Sequence, residues 1–172
     1  MQVTHPKWTR RLRLQSWLVV LSLGLPSPGV GQPGGRAVCR MDATPLTFGN
    51  YLGDRSSPLD VTATISVTCT PIAGQASTSV SFTIALMESN PAGHRELHGG
   101  RETMLYALYA DAGRSLILGD GTAGTTTLSG GGAATQLVPL RQSFTVHGRI
   151  LARQRRATAG AYADTLSLQL KW

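Results

Sequence analysis

The chain has 172 residues, 41% of them hydrophobic and 15% charged, which is room for one ordinary domain and enough apolar material for its core. That excludes a highly charged disordered chain. So little charge, together with Gly 20 and abundant Thr, Ser and Ala, suits an exported all-β domain with many turns better than a cytosolic enzyme. The formal charge of +7 invites a nucleic-acid reading, but the positions of the basic residues argue against it.

Lys7, Arg10, Arg11 and Arg13 form a positive cluster with no acid nearby, and an apolar run follows over residues 14–25. As a helix that run spans roughly 18 Å, too short for about 30 Å of hydrocarbon. Pro26 and Pro28 then break it. Gly29 and Gly31 flank Val30 as small residues before a cleavage point. Residues 1–31 are therefore expected to be a secretory signal peptide, cleaved after Gly31, with residues 32–172 as the exported domain. The Thr9-Arg10-Arg11-Leu12 segment is a weak twin-arginine pattern, and the general secretory route is favoured. Without residues 1–31 the chain holds twelve basic residues against nine acidic ones, so most of the basicity is targeting and no nucleic-acid partner is expected. Arg153, Arg155 and Arg156 remain as a local basic cluster. It reads as a solvated hairpin loop, with Coulomb attraction to an anionic surface as its alternative.

Cys39 and Cys69 are the only cysteines, so an oxidising compartment leaves one possible bridge. It would close a loop of about 30 residues and stabilise by roughly 3–4 kcal/mol in the chain-entropy model.

Residues 61–69, VTATISVTC, alternate strictly: Val61, Ala63, Ile65, Val67 and Cys69 point one way and threonine or serine the other. Period two with β-branched residues predicts a half-buried strand. Residues 80–86 repeat it with Val80, Phe82, Ile84 and Leu86 inward. Residues 143–151 put Phe144, Val146 and Ile150 on one face, and residues 162–172 put Tyr162, Leu166, Leu168, Leu170 and Trp172 together. Weaker strands are expected at 37–42, 46–48, 104–109, 115–118, 125–129 and 135–140. Turn signals lie at Asn50, Gly53-Asp54, Pro71, Asn90-Pro91, Gly99-Gly100, Asp120-Gly121, Gly130 to Gly132 and Gly160. Short strands so spaced predict an antiparallel β-sandwich. The Gly-rich run over 119–134 reads as a hairpin or exposed loop, since no Lys-Ser/Thr follows and no helix begins there to cradle phosphate.

Catalytic chemistry finds no support in the residues. His94, Glu96 and His98 make H-x-E-x-H, which lacks the i, i+4 histidine spacing of a zincin helix and, flanked by glycines, reads as a loop. Asp60, Asp111, Asp120 and Asp164 have no defined pairing for acid–base work. No nucleophile elbow or dinucleotide fingerprint occurs. The chain is not expected to be an enzyme, and no metal or cofactor is expected.

Six segments in order resemble one family. Cys39-Arg-Met-Asp-Ala-Thr-Pro-Leu-Thr-Phe-Gly-Asn-Tyr51 is similar to its Cys…Leu-x-Phe-Gly-x-Tyr start, and Ser57-Pro-Leu-Asp60 with Ile65-Ser-Val-Thr-Cys69 to its second-cysteine strand. Leu105-Tyr-Ala-Leu-Tyr-Ala-Asp-Ala-Gly-Arg114, Gly119-Asp-Gly-Thr122, Val146-His-Gly-Arg-Ile150 and Gly160-Ala-Tyr-Ala-Asp-Thr165 follow. Over residues 38–172 the chain resembles the spore coat protein U domain family, subunits of archaic (Csu-type) chaperone–usher pili. The resemblance implies an incomplete immunoglobulin-like antiparallel β-sandwich, completed by donor-strand complementation. A periplasmic chaperone, an outer-membrane usher and neighbouring pilus subunits are the implied partners. The implied route runs through the periplasm of a Gram-negative bacterium to a surface pilus serving adhesion or biofilm formation. The chain stops directly after the strand ending at Trp172, which agrees with a missing last strand. Leu46, Phe48, Leu166, Leu168 and Leu170 are the expected lining of the acceptor groove. Residues 32–38, Q-P-G-G-R-A-V, make a short and Gly/Pro-weakened donor strand, so a minor, tip-proximal or terminal subunit is expected rather than a repeating shaft subunit. A self-contained secreted sandwich that binds surfaces or glycans is the competing reading.

Overall fold

The computed structural model describes residues 13–14, 36–87, 93–99 and 101–172. The leader expected over residues 1–31 lies outside the described residues, apart from a two-residue strand β1 (Arg13–Leu14). No helix occurs among the described residues. The strands that follow are β2 (Ala37–Ala43), β3 (Leu59–Pro71), β4 (Ser77–Leu86), β5 (Arg95–Gly99), β6 (Glu102–Tyr109), β7 (Leu128–Thr135), β8 (Leu140–Ile150), β9 (Thr165–Leu166) and β10 (Leu168–Lys171).

Apart from the two-stranded parallel pair β1-β9, they form two antiparallel sheets, one ordered β2-β3-β8-β6-β5 and the other β10-β4-β7. The alternation in β3 buries Ile65, Val67 and Cys69, and that in β4 buries Val80, Phe82 and Ile84. These faces meet in one core, where the Phe82 and Phe144 rings pack edge-on at 6.0 Å across the sheets. The all-β sandwich expected from the pattern is the observed fold class. Cys39 and Cys69 are direct register partners between β2 and β3, and they are joined as a disulfide.

Several expectations fail, among them the weak strand expected over 135–140, which is instead the connection between β7 and β8. Gly130, Gly131 and Gly132 lie inside β7 and not in a loop or turn. A Cβ at Gly130 would stand 2.1 Å from Gln142 Oε1 and 2.7 Å from the Phe82 ring, and one at Gly131 would stand 2.5 Å from the Val80 carbonyl. The glycines are there for close approach, and a strand can carry them for that purpose. The H-x-E-x-H segment is also not a loop, because β5 runs through Glu96 and His98. Lastly, residues 162–172 are not one continuous strand. Ala163 bridges His98 at the edge of the first sheet, and β10 pairs with β4 in the second, so the segment crosses between them. Residues 46–48 and 115–118 are likewise irregular, the latter making only the isolated bridges Tyr109–Ile117 and Leu118–Thr126.

Two of the four sheet edges are closed by the chain itself. Beyond β5, His98 and Ala163 exchange both backbone hydrogen bonds, at 2.7 and 2.9 Å. Beyond β7, the Gln142 side chain acts as a substitute strand: Gly131 N–H donates to Gln142 Oε1 at 2.9 Å, and Gln142 Nε2 donates to the Gly131 carbonyl at 3.2 Å. Gln142 is a polar residue on the inward-facing row of β8 that also carries Phe144 and Val146, and this pairing is its physical reason for being there. Gln142→Ala leaves two backbone groups unpaired, at a cost of about 1–3 kcal/mol. A lower melting temperature and faster hydrogen exchange at the Gly131 amide are expected, measured by calorimetry and NMR; an unchanged Gly131 amide would show that the edge is closed by something else.

Candidate functional site: an apolar cleft between two sheet edges

The remaining edges, β2 and β10, each have a sheet partner on one side only, β3 and β4 respectively. They approach each other at one end of the sandwich, where Trp172 Nε1 donates to the Ala37 carbonyl at 3.0 Å. Away from that tie they part. β2 ends at Ala43, and one further bond, Thr44 N–H to the Thr64 carbonyl, carries it to its limit. The chain then leaves the sheet and folds Leu46 and Phe48 inward over Gly148. A Cβ at 148 would stand 2.6 Å from Leu46 and 3.1 Å from Phe48, so only glycine lets this segment lie on β8.

The departure leaves a small cleft of about 30 Å³. Ala43, Thr44 and Leu46 line it on the β2 side, and Leu166 and Leu168 on the other. Ile65, Leu86, Leu108, Leu118 and Val146 lie among its remaining lining residues. Thr44 is the one polar residue in the lining, and its hydroxyl is already engaged with the Thr64 backbone. A polar or charged ligand would find nothing to replace its water here. The cleft suits apolar side chains arriving on a chain whose backbone can pair with the edges.

Of the five residues expected in the groove, Leu46, Leu166 and Leu168 line the cleft. Phe48 and Leu170 are not in its lining. Phe48 is buried edge-on against Tyr106 at 5.9 Å, and half-buried Leu170 pairs with Ile84 in register. The cleft residues from β3, β4, β6 and β8 were placed in the core by their alternation or not singled out. What sequence reasoning missed is the small gap left beside them, although the residues themselves stay buried. The signal was Gly148, which implies a close backbone crossing at that point.

The C-terminal segment is locked in place before it reaches the cleft. Tyr162 is fully buried and donates its hydroxyl to the Thr158 carbonyl. Asp164 accepts from Tyr106 Oη at 2.5 Å and from Arg95 Nε at 3.3 Å, in a cluster with little exposure. Burial, and then the hydrogen bond to the Asp164 carboxylate, push the Tyr106 phenol well above its ordinary pKa. Elsewhere, Asp60 receives a two-bond pairing from Arg149 at 2.7 and 2.8 Å. That bond holds its carboxyl below the usual range. Asp111 and Asp120 accept from turn hydroxyls and amides. Each aspartate is thus occupied structurally. Among the described residues no cluster of three metal-ligating side chains occurs, and no helix is long and apolar enough to cross a membrane.

The described residues thus form a two-sheet antiparallel sandwich with two edge strands beside an apolar cleft. Residues 35–169 match the Spore Coat Protein U domain, and the chain belongs to that family of pilus- or coat-type subunits. No curated protein matches the chain.

The Tyr106–Asp164 bond carries a pH dependence whose sign is fixed. The folded state holds the phenol neutral, whereas an unfolded tyrosine ionises near pH 10. Its contribution is complete below about pH 10 and falls as pH rises beyond it. Tyr106→Phe is expected to lower stability at neutral pH and to flatten the loss above about pH 10, read from urea midpoints across an alkaline series. An unchanged alkaline slope would locate the sensitivity in another group.

Proposed function

We propose that the chain is a subunit of an archaic chaperone–usher pilus, exported on the 1–31 leader and assembled by donor-strand exchange. The cleft between β2 and β10 is the acceptor site. The single observation that carries this reading is the coincidence of two unpaired backbone edges with an apolar cleft. Such an edge pairs with a strand, and such a cleft takes its alternate side chains. A periplasmic chaperone would fill it first and a neighbouring subunit's N-terminal strand afterwards, with an outer-membrane usher as the site of exchange. β1 runs parallel to β9, Arg13 beside Thr165 and Leu14 beside Leu166. Cleavage after Gly31 removes that two-residue strand and leaves the edge vacant for its partners.

The donor side supports a minor, tip-proximal or terminal place. Ala37 and Val38, counted within the short donor segment, already belong to β2 and pair with Pro71 and Thr70. Only residues 32–36 remain, among them Pro33, Gly34 and Gly35, too few and too poor in apolar residues to fill a neighbour's cleft. A subunit that accepts a strand but donates none ends a fibre, and surface adhesion or biofilm formation is the role such a position serves.

A peptide of alternating apolar residues fused to the exported domain is expected to raise its melting temperature markedly. Apolar area of the cleft and of the added strand that leaves water stabilises by about 25 cal/mol per Å². Leu168→Asp is expected to abolish that gain. If the unfused domain is already as stable, with the β10 amides protected from hydrogen exchange, the self-contained binding module replaces the pilus subunit.

A further inference from the structure

The end opposite the Trp172–Ala37 tie carries the loops around residues 52–58 and 151–161. Arg153, Arg155 and Arg156 lie there, and Arg55 joins them from far away in sequence. The Arg153 N–H donates to the Arg55 carbonyl at 2.9 Å. All four side chains are exposed. Arg95, Arg114 and Arg149 are each held by an aspartate. Among the described residues, Arg55, Arg153, Arg155 and Arg156 have no such ion pair. The Arg55 side chain bonds to Ser57 through its Nε and acts on the Asp60 carboxylate through its charge. Beyond residue 31 the chain carries twelve basic and nine acidic residues, so without these four arginines its balance becomes slightly negative. Asp54 stands in the same turn as Arg55, and Arg36, Arg40, Arg141 and Lys171 lie towards the other end, so the four arginines are a local cluster and not the whole of the surplus.

These arginines are not carried on a loose loop. Ala157 N–H closes a turn onto the Gln154 carbonyl at 3.1 Å, placing Arg155 and Arg156 at its two central positions. Gln154 turns its side chain inward, accepting from Leu105 N–H at 2.6 Å and donating to the Leu105 and Leu151 carbonyls. The buried Tyr51 hydroxyl donates to Leu151 and receives the Gln154 N–H. Gly53 packs against this turn so closely that a Cβ would stand 2.9 Å from the Gln154 carbonyl. Arg153 itself is held at φ 59°. Like charges are thus kept together by buried groups, where a free loop would spread them apart.

Beside them Leu52 is 53% exposed, at the start of the turn that Arg55 N–H closes onto the Leu52 carbonyl. An exposed leucine among unpaired guanidinium groups fits the phosphate layer of a lipid surface. The guanidinium groups pair with headgroup phosphates, and the leucine enters the acyl boundary. We infer that this arginine-rich end is a docking surface for an anionic, phosphate-bearing lipid surface, independent of the cleft and of strand exchange.

The test is co-sedimentation of the periplasm-derived protein with vesicles of equal parts phosphatidylglycerol and phosphatidylcholine, against pure phosphatidylcholine. Binding to the anionic vesicles alone is expected, weakening from low salt to about 0.15 M as screening sets in. Each arginine near such a surface contributes about fivefold. Arg153→Glu with Arg155→Glu and Arg156→Glu is therefore expected to lose at least about a hundredfold. The equal charge change Arg36→Glu, Arg40→Glu and Arg141→Glu, on exposed residues towards the other end, is expected to lose far less. Leu52→Ser is expected to weaken vesicle binding severalfold and to leave the binding of soluble polyphosphate unchanged. If the triple glutamate variant fails to fold, Arg155→Gln with Arg156→Gln gives the same comparison and leaves the packed groups intact. Equal losses from both ends, equal binding to neutral vesicles, or binding to polyphosphate with none to vesicles would each overturn the inference.

Discussion

A backbone amide at the edge of a sheet needs a partner, and four edges have to be accounted for once two sheets are stacked. Here the accounting is uneven. The β5 edge is finished by Ala163, one residue of a segment on its way to the other sheet. The β7 edge is finished by one side-chain amide, Gln142, which substitutes for a strand at Gly131. β2 and β10 are left, and both border the same apolar cleft. If all four edges were open, the molecule could pair in many ways and would aggregate. With two closed, strand addition is directed to one place. The proposed assembly therefore depends on closed edges as much as on the open ones.

The family signatures gain a physical meaning from the same constraint. Gly148, in the V-x-G-R-I segment, is where Leu46 and Phe48 cross β8, and that crossing takes the chain away from β2 and opens the cleft. Tyr162 and Asp164, in the G-x-Y-x-D-T segment, anchor the last part of the chain to the first sheet through Thr158, Tyr106 and Arg95. Arg149 of the first segment grips Asp60 at the start of β3. None of these residues forms the cleft's lining. They anchor the segments that flank the cleft, as the proposed strand entry would require.

Much of the fold was legible because burial imposes a period. β3, β4 and β8 were readable from alternation, and the Cys39–Cys69 pair from number and compartment. The leucines of the cleft's outer wall, Leu166 and Leu168, were readable from the same alternation and from family resemblance. Reading failed where tertiary contacts override local propensity. Gly130 to Gly132 look like a turn in isolation, and only the approach of Gln142, Phe82 and Phe144 makes glycine the residue a strand requires there. Residues 162–172 look like one strand because their leucines alternate. The chain nevertheless serves two sheets in turn, burying Leu166, leaving Leu168 half-buried in the cleft and setting Leu170 against β4. Phe48 was assigned to the groove for its apolarity, but its ring is used to pack on Tyr106.

The polarity of the molecule follows from how these parts are ordered along the chain. The strands that bury the disulfide run their β2–β3 register to Ala37 and Pro71 at one end, where the Trp172 indole, just past β10, ties to β2. That end is closed by a side-chain hydrogen bond and carries exposed apolar residues such as Leu137 and Val138 on a turn held by Gln136. The other end is where β3 begins and β8 finishes, and there Tyr51 and Gln154 fix loops that hold surplus arginines. The cleft lies along the side between them. A strand entering it therefore meets a barrier at one end, the Trp172–Ala37 contact, and open loops at the other. In the proposed assembly this asymmetry would give strand entry a preferred direction without any residue of the cleft having to specify it.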